Sequence, residues 1–426
     1  MEFKQYPSYK KSGVEWLGNV PEHWQIVRTK DIFNHRKEEA LEDDEIVTAF
    51  RDGQVTLRKN RRTDGFTNSI KEHGYQHINN GDLVIHEMDA FAGAIGVSDS
   101  SGKSTPVYTV CYAKNENINH HFYSHFFRTM AKTGFINSLA KGIRVRSTEF
   151  RWNESRNVYL AEPPKADQEK IVSFLDTETA RIDNLIAKQE KLIELLEEQR
   201  KSIISHAVTK GLNPNAPMKD SGVEWLGEVP EDWEVKRFGY IFTENKKKNI
   251  GLIETNVLSL SYGNIKEKNI DDNKGLLPES FETYQIIEPN DIVFRFTDLQ
   301  NDKRSLRNAI SKYHGIITSA YIGVKTKENA DFYNYLFRAY DLQKVFYSMG
   351  DGMRQSLKMD ELNKMPIVLP KIEAQERIVK FINEENQRIN NLVVKQKNLI
   401  EKLKEYRSSI ISHAVTGKID VREFGA

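Results

Sequence analysis

A thirteen-residue segment, SGVEWLGNVPEHW from Ser12 to Trp24, returns almost unchanged as SGVEWLGEVPEDW from Ser221 to Trp233. A second, RKSIISHAVT from Arg200 to Thr209, returns as RSSIISHAVT from Arg407 to Thr416. The offsets are 209 and 207 residues, so order and spacing repeat along with the strings. A period this long exceeds any solenoid unit and fits a duplicated pair of domains. Whatever one half folds into, the other must fold into as well. Between the matched ends the two middles diverge, which implies one architecture serving two related tasks.

At 426 residues the chain is long enough for two to four domains with cores of their own. Its formal net charge of +1 neither argues for nor excludes a polyanionic partner, so only local patches can decide that question. The single cysteine, Cys111, rules out an internal disulfide and a cysteine-based zinc site, and fits a reducing compartment. No apolar run approaches the roughly 18 residues of a membrane helix, and MEFKQYPSYKK carries no signal-peptide core. The sequence therefore reads as a cytoplasmic protein with no membrane partner.

Each half places a mixed region before a long helix. The expected segments are a first mixed domain over 1–160, a helix over 161–208 and a linker over 209–217. A second mixed domain over 218–367, a helix over 368–416 and a tail over 417–426 follow. In the first helix Ile171, Leu175, Glu178, Ile182, Leu185, Gln189, Leu192, Leu196, Gln199, Ile203 and His206 are spaced alternately four and three. The second keeps that register through Ile378, Ile382, Glu385, Ile389, Leu392, Gln396, Leu399, Leu403, Tyr406, Ile410 and His413. This is a heptad seam with polar residues at matched places. A lone helix of that length would expose its stripe, so the two are expected to pair. A short, turn-rich linker favours an antiparallel pair and brings the tail near the N-terminus. The fold class is α+β: two mixed α/β domains joined by two long antiparallel coiled-coil helices, with pseudo-two-fold duplication.

The mixed regions alternate strand-like stretches, GDLVIHEM from Gly81 and NDIVFRF from Asn290, with Gly, Asn and Asp turns. Each also holds an aromatic helix, FYSHFFRTM from Phe122 and FYNYLFRAY from Phe332, aligned through Phe122/Phe332, Tyr123/Tyr333, Phe127/Phe337 and Arg128/Arg338. Core packing is the expected role of these rings. Catalytic motifs fail on inspection. GVSDSSGKS, from Gly96, has five residues between its glycines where a phosphate loop needs four, and a strand-like stretch follows it; it reads as a hairpin turn. FAGAIG at Phe91 has the wrong spacing for a methyl-donor loop, and no Asn-Pro-Pro-aromatic tetrapeptide occurs. Adjacent His120 and His121 cannot share a helix face as metal ligands, and His206 and His413 sit in last turns, where a helix favours positive charge. No catalytic residue and no metal ligand is assigned.

Recognition is the remaining chemistry. Basic and polar clusters lie in loops of both mixed regions, and such side chains bind phosphates and read base edges. The first region offers Arg51, Arg58, Lys59, Arg61 and Arg62, then Lys103, then Lys141, Arg144 and Arg146. The second offers Lys246, Lys247 and Tyr262, then Arg295, Gln300, Lys303, Arg304 and Arg307, then Arg354 and Gln355. Any one cluster suits a solvated loop; recurrence at corresponding places points to DNA. Gly142 with Arg144 matches Gly352 with Arg354 just before each helix. Those arginines suit a phosphate or a guanine edge, or else a carboxylate where domain meets helix.

Two variable regions, each opening with GVEWLG-x-VP-x-x-W and closing into a heptad helix that ends in SIISHAVT, resemble the specificity subunits of type I restriction-modification systems. The resemblance spans essentially the whole chain. It includes the stretch leading into each helix: Pro163, Pro164, Gln168, Glu169 and Ile171, then Pro370, Gln375, Glu376 and Ile378. It implies a non-catalytic subunit whose two target-recognition domains each read one half of a split, asymmetric site on double-stranded DNA. The coiled coil would set the spacing and dock two methylation subunits through Gln168, Glu169, Arg200, His206, Gln375, Glu376, Arg407 and His413. Restriction subunits, with translocase and nuclease activity, would join them. No cofactor is implied for this chain; S-adenosylmethionine, ATP and Mg would belong to those partners. The rival readings are a stand-alone DNA-modifying enzyme with duplicated DNA-binding domains, which binding of a methyl donor would reveal, and a protein-binding coiled-coil scaffold. The missing methyl-donor motif weighs against the first and the basic loops against the second.

Overall fold

The computed structural model describes residues 3–61, 73–139, 150–269, 280–297, 306–349 and 356–424. Four helices organise it: α1 (His120–Lys132), α2 (Lys165–Lys210), α3 (Ala330–Leu342) and α4 (Ile372–Val415). The chain divides into two compact units, Met1–Gln189 with Asn398–Ala426, and Glu190–Lys397. The division falls inside both long helices. Each unit therefore holds the opening stretch of one and the closing stretch of the other.

In the first unit a four-stranded antiparallel sheet runs in the order Phe33–His35, Tyr108–Ala113, Leu83–His86, Ile95–Val97. The apolar run Leu83-Val84-Ile85 is buried throughout, so both faces of its strand are covered. Helix α1 lies over one face. It forms because Asn119 caps it, its side chain accepting from the His121 and Phe122 N–H groups. It ends at Gly134, whose φ of +79° stops the helix cheaply. Phe122, Tyr123, Phe126, Phe127 and Met130 fall on its inner side and are buried with Trp24, Phe33 and Leu160. A second, smaller core of Val47, Val55, Ile78, Val84 and Val110 lies on the other face, under the hairpin of Val47–Ala49 with Val55–Leu57.

The second unit repeats this order: Phe242–Glu244, Ile322–Thr326, Ile292–Phe294, Asn308–Ile310. Asn329 caps α3 as Asn119 caps α1. The Tyr123 hydroxyl donates to the Ala161 carbonyl at 3.4 Å, and the Tyr333 hydroxyl to Val368 at 3.2 Å. The GVEWLG strings close tight turns in which Gly18 and Gly227 take φ of +63° and +56°. A lysine clamps each turn. Lys418 Nζ donates to the carbonyls of Leu17 and Asn19, and Lys210 Nζ to those of Leu226 and Glu228. The aromatic residues are core, as expected from their spacing. GVSDSSGKS differs from expectation: its flanking strands pair with other strands, Ile95–Val97 with Leu83–Ile85 and Gly102–Ser104 with Gln76–Ile78. The segment is a connection between two sheets.

Within each unit the helix stretches run antiparallel. In the first, Ile171, Phe174 and Leu175 of α2 share a core with Ile411, Ala414 and Val415 of α4, while Asp183 meets Arg407 at 2.8 and 3.1 Å. Rising numbers in one helix thus meet falling numbers in the other. In the second, Ala207 and Val208 join Ile378, Val379 and Ile382, and Leu196 packs with Ile389 and Val393. Arg200 donates to Asn390 Oδ1 at 2.6 Å, the equivalent of the Arg407–Asp183 tie. The polar seam residues Glu178 and Glu385 each hold an arginine one turn on, Arg181 and Arg388, at 2.7 Å. The tail packs on the N-terminal segment: the Asp420 N–H donates to the Lys4 carbonyl, and Phe174 stacks edge-on with Phe3 and Phe424. Among the described residues no helix is long and apolar enough to cross a membrane.

Cysteines at 183 and 407, or at 200 and 390, in a Cys111→Ser background, are expected to crosslink on mild oxidation. Crosslinking of 183 with 390, the pairing of a parallel register, would contradict the antiparallel seam.

Candidate nucleic-acid interface

The candidate contacts of the first unit gather on the Val47–Leu57 hairpin and the short turn after it. Arg51 is exposed at the tip and meets Asp89 at 2.9 Å. Arg61 lies 4.2 Å over the Phe50 ring and reaches Asp52 at 2.7 Å. Lys59 meets Glu45 at 2.5 Å. Arg58 is half-buried, its Nε donating to Thr48 Oγ1 at 3.3 Å. The basic residues are thus balanced by carboxylates of their own and neighbouring loops. Exposed pairs of this kind contribute at most about 1 kcal/mol, so a phosphate can displace the carboxylate at little cost.

In the second unit Lys246 and Lys247 are exposed, near Glu244 at 3.6 Å and Glu288 at 3.7 Å. Tyr262 occupies the tip of the hairpin formed by Leu258–Ser261 and Asn264–Glu267. The turn has two residues, Tyr262 and Gly263, with φ of +48° and +70°, as a type I′ turn requires. Tyrosine in this left-handed region costs about 1–2 kcal/mol relative to its ordinary backbone, yet the side chain is 71% exposed. Neither core burial nor turn propensity explains it there.

Two candidates are corrected. Lys103 is buried within the strand Gly102–Ser104, which pairs with Gln76–Ile78. Arg307 is fully buried: its guanidinium lies 5.6 Å over Tyr347 and donates to the Thr297 carbonyl at 3.4 Å. Both look like contacts in sequence because residue type reveals donors and says nothing of depth. Arg295 is half-buried beside it, its N–H on the Arg307 carbonyl at 2.7 Å. Arg62, Lys141, Arg144, Arg146, Gln300, Lys303, Arg304, Arg354 and Gln355, and the two Gly-x-Arg pairs with them, lie outside the described residues.

The helix candidates separate in the same way. Gln168 is buried: its amide nitrogen donates to the Pro163 and Asn117 carbonyls at 2.8 and 3.1 Å, and its oxygen accepts from the Asn119 N–H at 2.9 Å. Gln375 does the same, donating to Pro370 and Glu328 at 2.9 and 2.8 Å and accepting from Asn329 at 3.0 Å. These glutamines pin the start of each long helix to the cap of the aromatic helix and are not docking residues. Arg200 and Arg407 are spent on the helix–helix ties. Glu169, His206, Glu376 and His413 are exposed.

The histidines behave as structure. The Ala113 N–H donates to His120 Nε2 at 3.0 Å, and burial holds this ring below the usual histidine range, which keeps that nitrogen free to accept. Burial first, then the neighbouring Arg128, pushes His125 down to about 3. Among the described residues no three His, Cys, Asp or Glu side chains converge on a metal site. The lysine clamps, Lys210 and Lys418, were missed in sequence; the strings TKG and TGK after each SIISHAV were the available signal.

Gln168→Ala and Gln375→Ala should each lower stability to urea unfolding by about 1–3 kcal/mol, because a buried N–H loses its acceptor. Glu169→Ala and Glu376→Ala should stay within about 0.5 kcal/mol. Equal, small losses at all four would contradict the pinning role.

Residues 21–195 match the family described as Type I restriction modification DNA specificity domain. Over nearly their whole lengths two proteins of Methanocaldococcus jannaschii are similar. One is named as the MjaX specificity subunit, 22% identical over 447 residues and covering 99% of each chain. The other is the type I restriction enzyme MjaVIII specificity subunit, 23% identical over 433 residues, covering 95% of this chain and 94% of that one. The fold is similar to a chain in a structure of type I R-M system complex assembly, with TM-score 0.61 and 14% identity over 93% of this chain and 98% of that one. It is also similar to the HsdS subunit from Thermoanaerobacter tengcongensis, with TM-score 0.56 and 14% identity over 94% and 98%. With its frame carried through both halves, this chain is similar over nearly its whole length to type I restriction-modification specificity subunits, and residues 21–195 match that family's DNA specificity domain.

Proposed function

We propose that this chain is the non-catalytic, sequence-reading subunit of a type I restriction-modification complex. Each domain reads one half of a split, asymmetric site on double-stranded DNA. The observation that carries this reading is a frame held constant while its tips diverge. Trp24 and Trp233, the clamped glycine turns and the glutamine pins recur in equivalent roles. The hairpin turns do not: Arg51, Asp52 and Gln54 face solvent in one unit, and Tyr262, before a buried Gly263, does so in the other. A rigid frame with divergent loops is how a fold offers different readings at two places, and two unlike readers give an asymmetric target.

The exposed Glu169, His206, Glu376 and His413 offer docking points for two methylation subunits, with restriction subunits joining them. S-adenosylmethionine, ATP and Mg belong to those partners, and the complex works in the cytoplasm. The near-zero net charge is compatible with DNA binding because local pairs hold the basic residues until phosphates replace the carboxylates.

Exchange of residues 1–160 or of 218–367 for the corresponding domain of a relative should change one half of the methylated motif and leave the other. A change in both halves would contradict independent reading. Arg51→Ala and Lys246→Ala should weaken binding of the assembled complex to all sequences alike and reduce the salt slope by about one each. An unchanged slope would remove these residues from the phosphate contacts.

A further inference from the structure

Arg128 and Arg338 occupy the same position near the ends of α1 and α3, and each reaches under the turn of its own unit's hairpin. Arg338 Nη2 donates to the Gly263 carbonyl. In the first unit a Cβ on Gly53 would lie 2.3 Å from Arg128 Nη1 and 2.4 Å from its Cζ, so the guanidinium fills the space a side chain would need. A second loop meets each arginine or its turn at the same place. A Cβ on Gly93, just before the edge strand, would sit 4.0 Å from Arg128 Nε. A Cβ on Gly263 would fall 2.6 Å from Leu306 Cδ1, and Leu306 likewise precedes the edge strand. Each arginine therefore lies where the turn of its hairpin approaches the segment that precedes the edge strand.

Ordinary packing does not account for the pair. The Nε of each is buried and has no hydrogen-bond partner among the described residues. Burial holds both guanidiniums below their usual proton affinity, with Arg407 adding to the effect on Arg128. An incompletely satisfied buried cation is costlier than an apolar residue of similar size. Yet arginine stands in both units while the positions around it on the same helix face differ: His121 against Asp331, His125 against Tyr335, Lys132 against Leu342. What the two units share at this point is a glycine turn to be held. In the second unit that turn presents Tyr262, exposed and in a left-handed backbone conformation. In the first it presents Arg51 and Gln54, also exposed.

We propose that Arg128 and Arg338 are positioning residues for specificity: each sets the height and tilt of its hairpin turn, and so the aim of the side chains on it, without touching DNA itself. Tyr262 is the reading side chain in the second domain, offering a flat ring and a hydroxyl to base edges. This inference rests on the reading of the domains as DNA readers.

The test uses the complex assembled with its methylation partner and measures relative binding to duplexes altered one base pair at a time in each half-site. Tyr262→Ala should relax discrimination at one or two adjacent positions of one half-site by about 5- to 150-fold, the range of one lost base contact. Arg338→Ala should relax the same positions, leave the salt slope unchanged and add nothing in the Tyr262→Ala background. Arg338→Lys should recover part of the discrimination. Arg128→Ala should act on the other half-site alone. Should the alanine variants fail to fold, Arg338→Met and Arg128→Met keep the bulk and are read in the same way. Equal weakening on all duplexes with discrimination intact would overturn the inference in favour of a purely structural role, and a salt slope reduced by about one would make the arginine itself a phosphate contact. If domain exchange alters the motif while these variants do not, positioning fails and the reading of DNA stands. If domain exchange leaves the motif unchanged as well, that reading fails first.

Discussion

Neither repeat supplies a complete core from its own residues. The core of the first unit takes Ile411, Ala414 and Val415 from the end of α4, and that of the second takes Ala207 and Val208 from the end of α2. Burying a side chain the size of Ile or Val contributes about 1.5–3 kcal/mol. Ile411 and Val415 together therefore approach the lower end of the net stability of a domain, about 5–15 kcal/mol. The Asp183–Arg407 pair nearby is too exposed to contribute more than about 1 kcal/mol. Apolar burial fixes the antiparallel sense, and the polar ties refine it.

From that constraint follows the division of labour within each unit. The helix end must stay seated, so everything that seats it recurs: the tryptophan, the glycine turn with its lysine clamp, the glutamine between helix start and aromatic cap. The hairpin turns carry no such duty. Their hairpin strands cover the smaller core, and the turns have diverged to Arg-Asp-Gly-Gln in one unit and Tyr-Gly in the other. One surface holds the chain together and another is left to vary, which is what a subunit reading two unlike half-sites needs.

The frame was legible in the sequence because it is periodic. Heptad spacing marked Ile171, Leu175, Ile378 and Ile382, and helical spacing marked the phenylalanine and tyrosine rings of α1 and α3; all are buried save Tyr335, which is half-buried. Depth in the loops was not legible. Arg307 and Arg51 share a residue type and a polar neighbourhood, yet one is sealed against Tyr347 and the other stands in water. The buried role of Gln168 and Gln375 was not legible because, Glu328 apart, their partners are backbone groups, which carry no sequence signature. Tyr262 was marked by type alone; its left-handed turn depends on pairing between Ser261 and Asn264 that no local pattern dictates.

Genome-wide methylation mapping of the host with and without this gene tests the central claim most directly. A two-part, asymmetric motif with a fixed unread gap should be methylated when the gene is present and unmethylated when it is deleted. A contiguous or palindromic motif depending on this gene, or a methylation pattern indifferent to its loss in a host that expresses the methylation partner, would contradict it.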